Sequence, residues 1–235
     1  MASNAHRDMS MDSAKARHLQ VIWNKKVKAL ARQTRFTEDE LQALCLVFHK
    51  ICETYEWWGS GITKDRVDRL DIQGFRDGMS ALLDMAGTAS LDALYAAQDP
   101  NNKRYVTASR WIRALDAVQG SDEDRANLCW RAYLHGEEGG ATLTRATMAK
   151  YTKNMFIDVG IDDFSGFCKE FVDTILKDTA AGKEGFMTHK QYLNLVAKSP
   201  LFTEFLLELL PSRDAMRTFL ATLSPPPRPP RGRRA

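Results

Sequence analysis

Residues 99–111 read DPNNKRYVTASRW, and helical periodicity precedes and follows this stretch. Asp99 and Asn101 place side-chain oxygens two residues apart at the start of a turn-rich run, which is typical of the beginning of a calcium-binding loop. The end of the stretch does not fit that pattern, because Arg110 stands where such a loop supplies its last carboxylate. The stretch therefore predicts a loop between two helices, and leaves open whether it can hold a cation.

The unit of helix, loop and helix recurs four times, with a period of about 40 residues. Helical spacing of apolar residues predicts helices at 12–33, 71–85, 90–98, 109–118, 122–134, 146–156, 163–178, 189–197 and 212–223. A further helix begins at a capping box formed by Thr37 and Glu40, and another runs from Ser199 to Pro211. The predicted fold class is all-α, with two lobes of paired helix–loop–helix units and extra helices at both ends.

Four such units at this spacing are typical of EF-hands. Their twelve-residue loop provides oxygen ligands at positions 1, 3, 5, 7, 9 and 12 and a glycine turn at position 6. Residues 99–110 align with that loop without a gap. Val106 takes the apolar position 8, which pairs with the neighbouring loop. Thr107 at position 9 is expected to cap the exit helix, and Trp111 is expected to anchor it.

The same loop carries positive charge where a cation needs oxygen. Lys103 is at position 5, Arg110 is at position 12, and Arg104 replaces the turn glycine. A like charge at about 4 Å costs a monovalent cation about 4 kcal/mol at an effective dielectric near 20, and a divalent ion about twice that. We therefore expect a loop that keeps its shape without calcium, with Lys103 or Arg110 supplying part of the missing positive charge to Asp99.

The other three loops also keep scaffold residues and lose ligands. Leu143 and Met187 take position 8 of the third and fourth loops, and Gly185 takes the turn position of the fourth. The first loop is overlong and has Gly74 at position 12. No metal cofactor is predicted, and calcium in particular is not expected. The degenerate ligand positions across the loops are Asp99, Asn101, Lys103, Arg110, Glu138, Thr147, Glu184 and Gln191.

Several segments between Phe36 and Pro211 occur in a characteristic order: FTEDELQALCLVFHKI, RLDIQGFRDGM, DPNNKRYVTASRWIRAL, LCWRAYLHGEEGGATLTRATMAKYTKN, FVDTILKDTAAGKEGFMTHKQYLNLV and SPLFTEFLLELLP. Together they resemble the calaxin-like EF-hand proteins of ciliary axonemes, and more broadly the neuronal-calcium-sensor-like EF-hand proteins. The resemblance implies a structural adaptor of a cilium or flagellum at the outer dynein arm docking complex of doublet microtubules, with tubulin or dynein-docking coiled coils as partners. It also implies acidic calcium ligands, from which this chain departs, so calcium regulation is not carried over.

The charge distribution points to an acidic partner. Residues 1–35 carry a net charge of +6 and residues 225–235 of +4, whereas residues 36–224 carry −7. Basic ends favour acidic surfaces, and the surface of tubulin is strongly acidic. The helix predicted at 12–33 is basic and amphipathic, and its apolar stripe either docks a partner or packs back on the body.

The segment LFTEFLLELL is apolar on nearly all sides, so it is predicted to be buried. It either fills an interhelical groove of the kind that calcium opens in EF-hand sensors, or forms ordinary core. The predicted partner-binding residues, from this segment and the basic ends, are Trp23, Lys25, Lys26, Lys28, Phe202, Phe205, Arg228, Arg231, Arg233 and Arg234.

The sequence contains no motif typical of an enzyme, a secreted protein, a membrane protein or a nucleic-acid-binding protein. No nucleophile–base pair, phosphate loop, apolar signal core or long apolar run is present, so enzyme activity, a small-molecule substrate, secretion and a membrane span are not expected. No aromatic-interleaved basic patch supports nucleic-acid binding. The cysteines are predicted to be reduced core residues of a cytoplasmic protein; they are Cys45, Cys52, Cys129 and Cys168.

Three alternatives stay open. The chain could be a calcium sensor that regulates a motor or other partner through one atypical loop around Glu184, a nucleic-acid or membrane-surface protein that uses its basic ends, or an unrelated helical bundle. The preferred organisation has five parts. They are a basic N-terminal helix at 1–35, a first lobe with hands 1 and 2 at 36–119, a second lobe with hands 3 and 4 at 120–198, C-terminal helices at 199–223 and a Pro/Arg-rich tail at 224–235.

Overall fold

Ten helices and one two-stranded sheet make up the part of the chain that the computed structural model describes, residues 13–54, 69–135, 142–155, 163–177, 183–198 and 207–223. The predicted all-α class is confirmed. In chain order the elements are α1 (Ser13–Ala31), α2 (Glu38–Thr54), α3 (Ile72–Leu83), α4 (Thr88–Gln98), α5 (Ala108–Gln119), α6 (Asp122–Tyr133), β1 (Thr142–Thr144), α7 (Arg145–Met155), α8 (Phe164–Leu176), β2 (Phe186–Thr188), α9 (His189–Lys198) and α10 (Arg213–Leu223).

Capping boxes begin α2 and α9, and the first of them, Thr37 with Glu40, was expected. The backbone N–H of Thr37 donates to the Glu40 carboxylate at 2.8 Å, and the N–H of Glu40 donates back to the Thr37 hydroxyl at 3.3 Å. At the start of α9, the N–H of Thr188 donates to the side-chain oxygen of Gln191 at 2.7 Å. Each cap satisfies backbone donors that a helix leaves unpaired, which is typically worth about 1 kcal/mol.

Short backbone bridges join the loops in pairs. Leu70 and Val106 exchange two hydrogen bonds of 2.8 Å each and form an isolated antiparallel bridge. In the second pair β1 lies antiparallel to β2, with Leu143 opposite Met187. All four side chains are at most 2% exposed. The expectation that Val106, Leu143 and Met187 meet a neighbouring loop at position 8 is therefore confirmed.

The helices around each bridge pack in the same pattern. In what we call the first unit (α2 to α5), α2 contacts α5 and α3 contacts α4. In the second unit (α6 to α9), α6 contacts α9 and α7 contacts α8. Helix α6 also packs on α4 and α5, so it joins the two units.

Helix α1 packs against α2, and this corrects one prediction. Trp23 was expected to contact a partner, but it is 5% exposed and its ring lies edge-on to His49 at a centroid distance of 5.7 Å. The alternative interpretation, in which the apolar stripe packs back on the body, holds for Leu19, Trp23, Val27 and Leu30, which are all buried. Ile22 of the same stripe is 57% exposed.

Helix α10 covers the first unit, where it contacts α2, α3 and α5. Phe219 is 5% exposed, and its ring lies edge-on to Trp111 at 6.5 Å. Trp111 in turn contacts Phe48 at 5.7 Å. Phe202 and Phe205, which were expected to fill such a groove, lie outside the described residues. The observed cover of the first unit is therefore α10.

Phe219→Ala is expected to lower the free energy of unfolding by about 3 kcal/mol, because it removes a buried ring from the contact with Trp111. Urea unfolding followed by tryptophan fluorescence measures this change. Arg217→Ala on the same helix is the control, because the Arg217 side chain is 77% exposed, and it should shift stability by less than about 0.5 kcal/mol. Equal small shifts in both variants would contradict the docking of α10.

Candidate functional site

The second loop connects the end of α4 to the start of α5, and a buried carboxylate lies at its first position. Asp99 is 6% exposed. Its carboxylate accepts the backbone N–H of Arg104 at 2.7 Å, and its backbone carbonyl accepts the N–H of Asn102 at 2.9 Å. These bonds fold the loop around Asp99, where an ion would be bound if oxygen ligands were present.

The side chain of Arg110 reaches back to this carboxylate. Its guanidinium donates to the Asp99 carboxylate at 3.4 Å and to the backbone carbonyl of Gln98 at 3.2 Å. Arg110 occupies position 12, from which a calcium loop delivers its closing glutamate. The guanidinium also lies at the carboxyl end of α4, where a positive charge offsets the unpaired carbonyls. A side chain of this protein thus supplies the closing charge of the loop.

Lys103 does not take part in this closure. It is exposed and forms no ion pair with any residue that the structure describes. Of the two cations that were expected to approach Asp99, Arg110 is the one that does. Asn101, at the second ligand position, is exposed.

Backbone strain marks the turn position of the same loop. Arg104 has a φ of 63° and Asn102 a φ of 47°, both in the left-handed region. A residue with a side chain is disfavoured there by about 1–2 kcal/mol, which is why glycine is usual at position 6. The loop therefore keeps the backbone conformation of the turn although it has lost the glycine.

In the other pair of loops, the residue at position 12 serves helix capping. The N–H of Thr147 donates to the hydroxyl of Thr144 at 3.2 Å. The side-chain oxygen of Gln191 accepts from Thr188, and its amide group donates to Glu184 at 3.4 Å. Glu184 is exposed. Glu138 lies outside the described residues.

Capping in the first pair is uneven. Asp71 accepts the N–H of Gly74 at 2.8 Å, so position 9 caps the exit helix of the first loop. Thr107 was expected to do the same for α5, but its side chain makes no capping hydrogen bond, which corrects that prediction. Its backbone carbonyl instead accepts the N–H of Trp111 at 3.0 Å.

The sequence interpretation missed an ion pair that links α3 to α4. Arg76 donates to both carboxylate oxygens of Asp92, at 2.6 and 2.7 Å. This bond to Asp92 raises the pKa of the Arg76 guanidinium. Bidentate pairs of this kind fix geometry as well as charge. No local sequence signal identifies the pair, because its members belong to different helices.

The predicted partner-binding residues have different outcomes. Lys25 and Lys28 are exposed and Lys26 is partly exposed on α1, so they stay candidates. The tail and the segment 199–206 lie outside the described residues; the predicted contacts there are Phe202, Phe205, Arg228, Arg231, Arg233 and Arg234.

Within the described ranges, no group of three or more His, Cys, Asp or Glu side chains could hold a metal ion. None of the described helices is long and apolar enough to cross a membrane. The prediction that the cysteines are core residues is confirmed, since all of them are buried: Cys45, Cys52, Cys129 and Cys168.

Comparison with known proteins adds no family assignment. No protein-family model matches the chain, and no curated protein matches it. The resemblance of the sequence segments to axonemal EF-hand proteins therefore supports a proposal and does not assign a family.

Arg110→Leu is expected to lower the free energy of unfolding by about 1–3 kcal/mol, because it leaves the buried carboxylate of Asp99 without a cation. Thermal and urea denaturation measure the loss. Arg113→Leu is the matched control on the same helix, since Arg113 is exposed and bonds only the neutral amide of Gln33 among its described contacts. If both variants lose the same stability, Arg110 does not close the loop.

Arg104→Gly is expected to raise the free energy of unfolding by about 0.5–1 kcal/mol, because relief of left-handed strain exceeds the entropy that glycine adds to the unfolded chain. Lys103→Gly is the control, because Lys103 has no positive φ and should lose up to about 1 kcal/mol. Differential scanning calorimetry compares the two. A loss of stability in Arg104→Gly would show that the turn is not strained.

Proposed function

We propose that this protein is a non-catalytic, EF-hand-like adaptor whose structure does not depend on calcium. The observation that carries the proposal is the contact of Arg110 with Asp99, at 3.4 Å, from the position of the closing ligand. The antiparallel bridges between the loops and the repeated helix packing support the EF-hand-like assignment.

A fixed closing charge has a functional consequence. In EF-hand sensors, calcium changes the angle between helices and opens an apolar groove. Here Arg110 closes the second loop without an ion, so the orientation of α5 does not respond to calcium. The first unit is also covered by α10 of the same chain. These features suit a constitutive structural role better than a switch.

We infer that the partners are proteins of a ciliary or flagellar axoneme, such as tubulin or the coiled coils that dock outer dynein arms. This placement is supported by the order of the resembling segments and by the basic ends of the chain. Exposed Lys25 and Lys28 on α1 add to that basic surface. Association of this kind is strongest at low ionic strength, because surface charges are screened by salt.

Restoring the missing ligands should create a calcium site. A variant with Lys103→Asp, Arg104→Gly and Arg110→Glu supplies oxygens at positions 5 and 12 and the turn glycine beside Asp99 and Asn101. We expect it to bind calcium with a Kd of about 1–10 μM, as sensor loops do. Isothermal titration calorimetry measures this affinity.

The unmodified protein is the control in the same titration and should show no binding at micromolar calcium. A variant with Lys103→Asp and Arg104→Gly alone keeps Arg110 and should also fail to bind. If the triple variant folds and does not bind calcium, the loop is not EF-hand-like. If the unmodified protein binds at micromolar calcium, calcium independence is wrong.

A fluorescently tagged full-length protein is expected to localise along the flagellum. In microtubule co-sedimentation, Lys25→Glu with Lys28→Glu should weaken binding about tenfold, a change of roughly 1.4 kcal/mol. Lys169→Glu with Lys190→Glu is the charge-matched control, since both lysines are exposed on the second unit. A tag signal confined to the cell body would contradict the axonemal placement.

A further inference from the structure

A cleft of about 850 Å³ lies between the second loop, α4, the start of α3 and the end of α6. Its walls bring together residues from both units, so no single sequence motif marks it. The residues used below are Asp71, Ile72, Asp92, Tyr95, Asp99, Arg104, Arg131 and Leu134.

The carboxylates in the cleft are already engaged. Asp92 is held by Arg76 through two short hydrogen bonds, and Asp99 is held by Arg110. Asp71 accepts a backbone N–H at the start of α3. Each of these carboxylates already accepts a hydrogen bond. They therefore line the cleft without being free to accept one from a ligand.

The hydroxyl of Tyr95 lacks a partner. The residue is 7% exposed, and its oxygen is buried without a hydrogen bond to any described residue. Burial raises the pKa of Tyr95 to about 12, and the carboxylates of Asp99 and Asp71 add to that shift. At neutral pH the hydroxyl is therefore a protonated donor, and a buried donor without a partner destabilises the protein.

Two guanidinium groups on the cleft wall are also unused. Arg104 and Arg131 are exposed, and neither forms an ion pair with a residue that the structure describes. Arg104 is held in the left-handed region with a φ of 63°. Strained residues of this kind cluster at binding sites, where the strain positions a side chain for use.

The net charge of the cleft suits a ligand that carries one negative charge. Its walls hold the three carboxylates of Asp71, Asp92 and Asp99, and the two guanidiniums of Arg104 and Arg131. Two further guanidiniums are bound to those carboxylates from outside the wall. The balance of three negative and four positive groups leaves one positive charge, which suits a carboxylate better than a phosphate dianion.

Apolar surface lies beside the cations. Ile72 is 37% exposed, and Leu134 lines the same cleft. A ligand that pairs its carboxylate with the arginines can place an apolar side chain here. A polypeptide with acidic and aliphatic residues close together has both features.

We propose that the cleft binds an acidic segment of a partner polypeptide, with one carboxylate received by Arg104, Arg131 and the hydroxyl of Tyr95 and an aliphatic neighbour packed on Ile72. Such binding goes beyond the adaptor role proposed above and does not depend on axonemal placement. It also assigns a role to the side chain of Arg104, which takes no part in closing the second loop.

Fluorescence anisotropy with the full-length protein tests the site. The probe is a fluorescein-labelled octapeptide, Glu-Glu-Leu-Glu-Glu-Leu-Glu-Glu, and its control has glutamine at every glutamate. We expect saturable binding of the acidic peptide only. Arg104→Gln and Arg131→Gln should each weaken it about tenfold, and Tyr95→Phe about fivefold, as loss of charge-assisted hydrogen bonds predicts.

Two controls separate the cleft from general attraction to basic surface. Arg32→Gln removes an exposed charge in the turn that follows α1 and should leave the affinity unchanged. Tyr95→Phe should keep or raise stability, because it removes a buried hydroxyl that has no partner. A loss of stability in Tyr95→Phe would show that this hydroxyl has a structural partner and would overturn its role in binding.

Three results would overturn the proposal as a whole. They are equal binding of the glutamine peptide, unchanged affinity in Arg104→Gln and Arg131→Gln, and competition by inorganic phosphate that is stronger than competition by acetate. If Lys25→Glu with Lys28→Glu abolishes peptide binding while the cleft variants do not, the cleft is excluded and the microtubule proposal is left standing.

Discussion

The backbone bridge between neighbouring loops is the constraint on which the arrangement of each unit depends. Leu70 and Val106 exchange hydrogen bonds of 2.8 Å while both side chains are buried. Because the bridge fixes the two loops face to face, the helices that enter and leave them can pack only in a defined order. The same order recurs around Leu143 and Met187. These bonds join backbone groups, so the arrangement of each unit does not require an ion.

In the second loop, the chain itself supplies both charges of the closing contact. A calcium ion holds carboxylates from both ends of its loop together, and those carboxylates repel one another without the ion. Here a guanidinium from position 12 meets the carboxylate from position 1, so the contact is attractive without an ion. Arg104 has a positive φ at the position where such a turn usually has glycine.

Much of this fold could be predicted from the sequence because its signals are local. Capping boxes such as Thr37 with Glu40 mark helix starts, and the apolar residues at position 8 mark where loops meet. Charge at positions 1 and 12 also pointed to an internal pair, although the choice of Arg110 over Lys103 needed coordinates. Both side chains are long enough to reach Asp99. Arg110 lies in the first turn of α5, and this position directs its side chain to Asp99.

The features that escaped prediction depend on contacts between distant segments. Trp23 lies on a stripe that could equally face a partner, and only its packing on α2 decides the matter. The Arg76–Asp92 pair and the cleft around Tyr95 join helices whose relative positions are set by tertiary packing.

If Arg110 takes the place of an ion in the second loop, the backbone amide of Arg104 reports on it directly, because that amide donates to Asp99 at 2.7 Å. Amide NMR spectra of the unmodified protein, recorded with excess chelator and then during titration to millimolar calcium, compare the conditions at this atom. The Arg104 amide resonance is expected to stay in place. A saturable shift of that resonance at micromolar calcium would show that the second loop binds the ion.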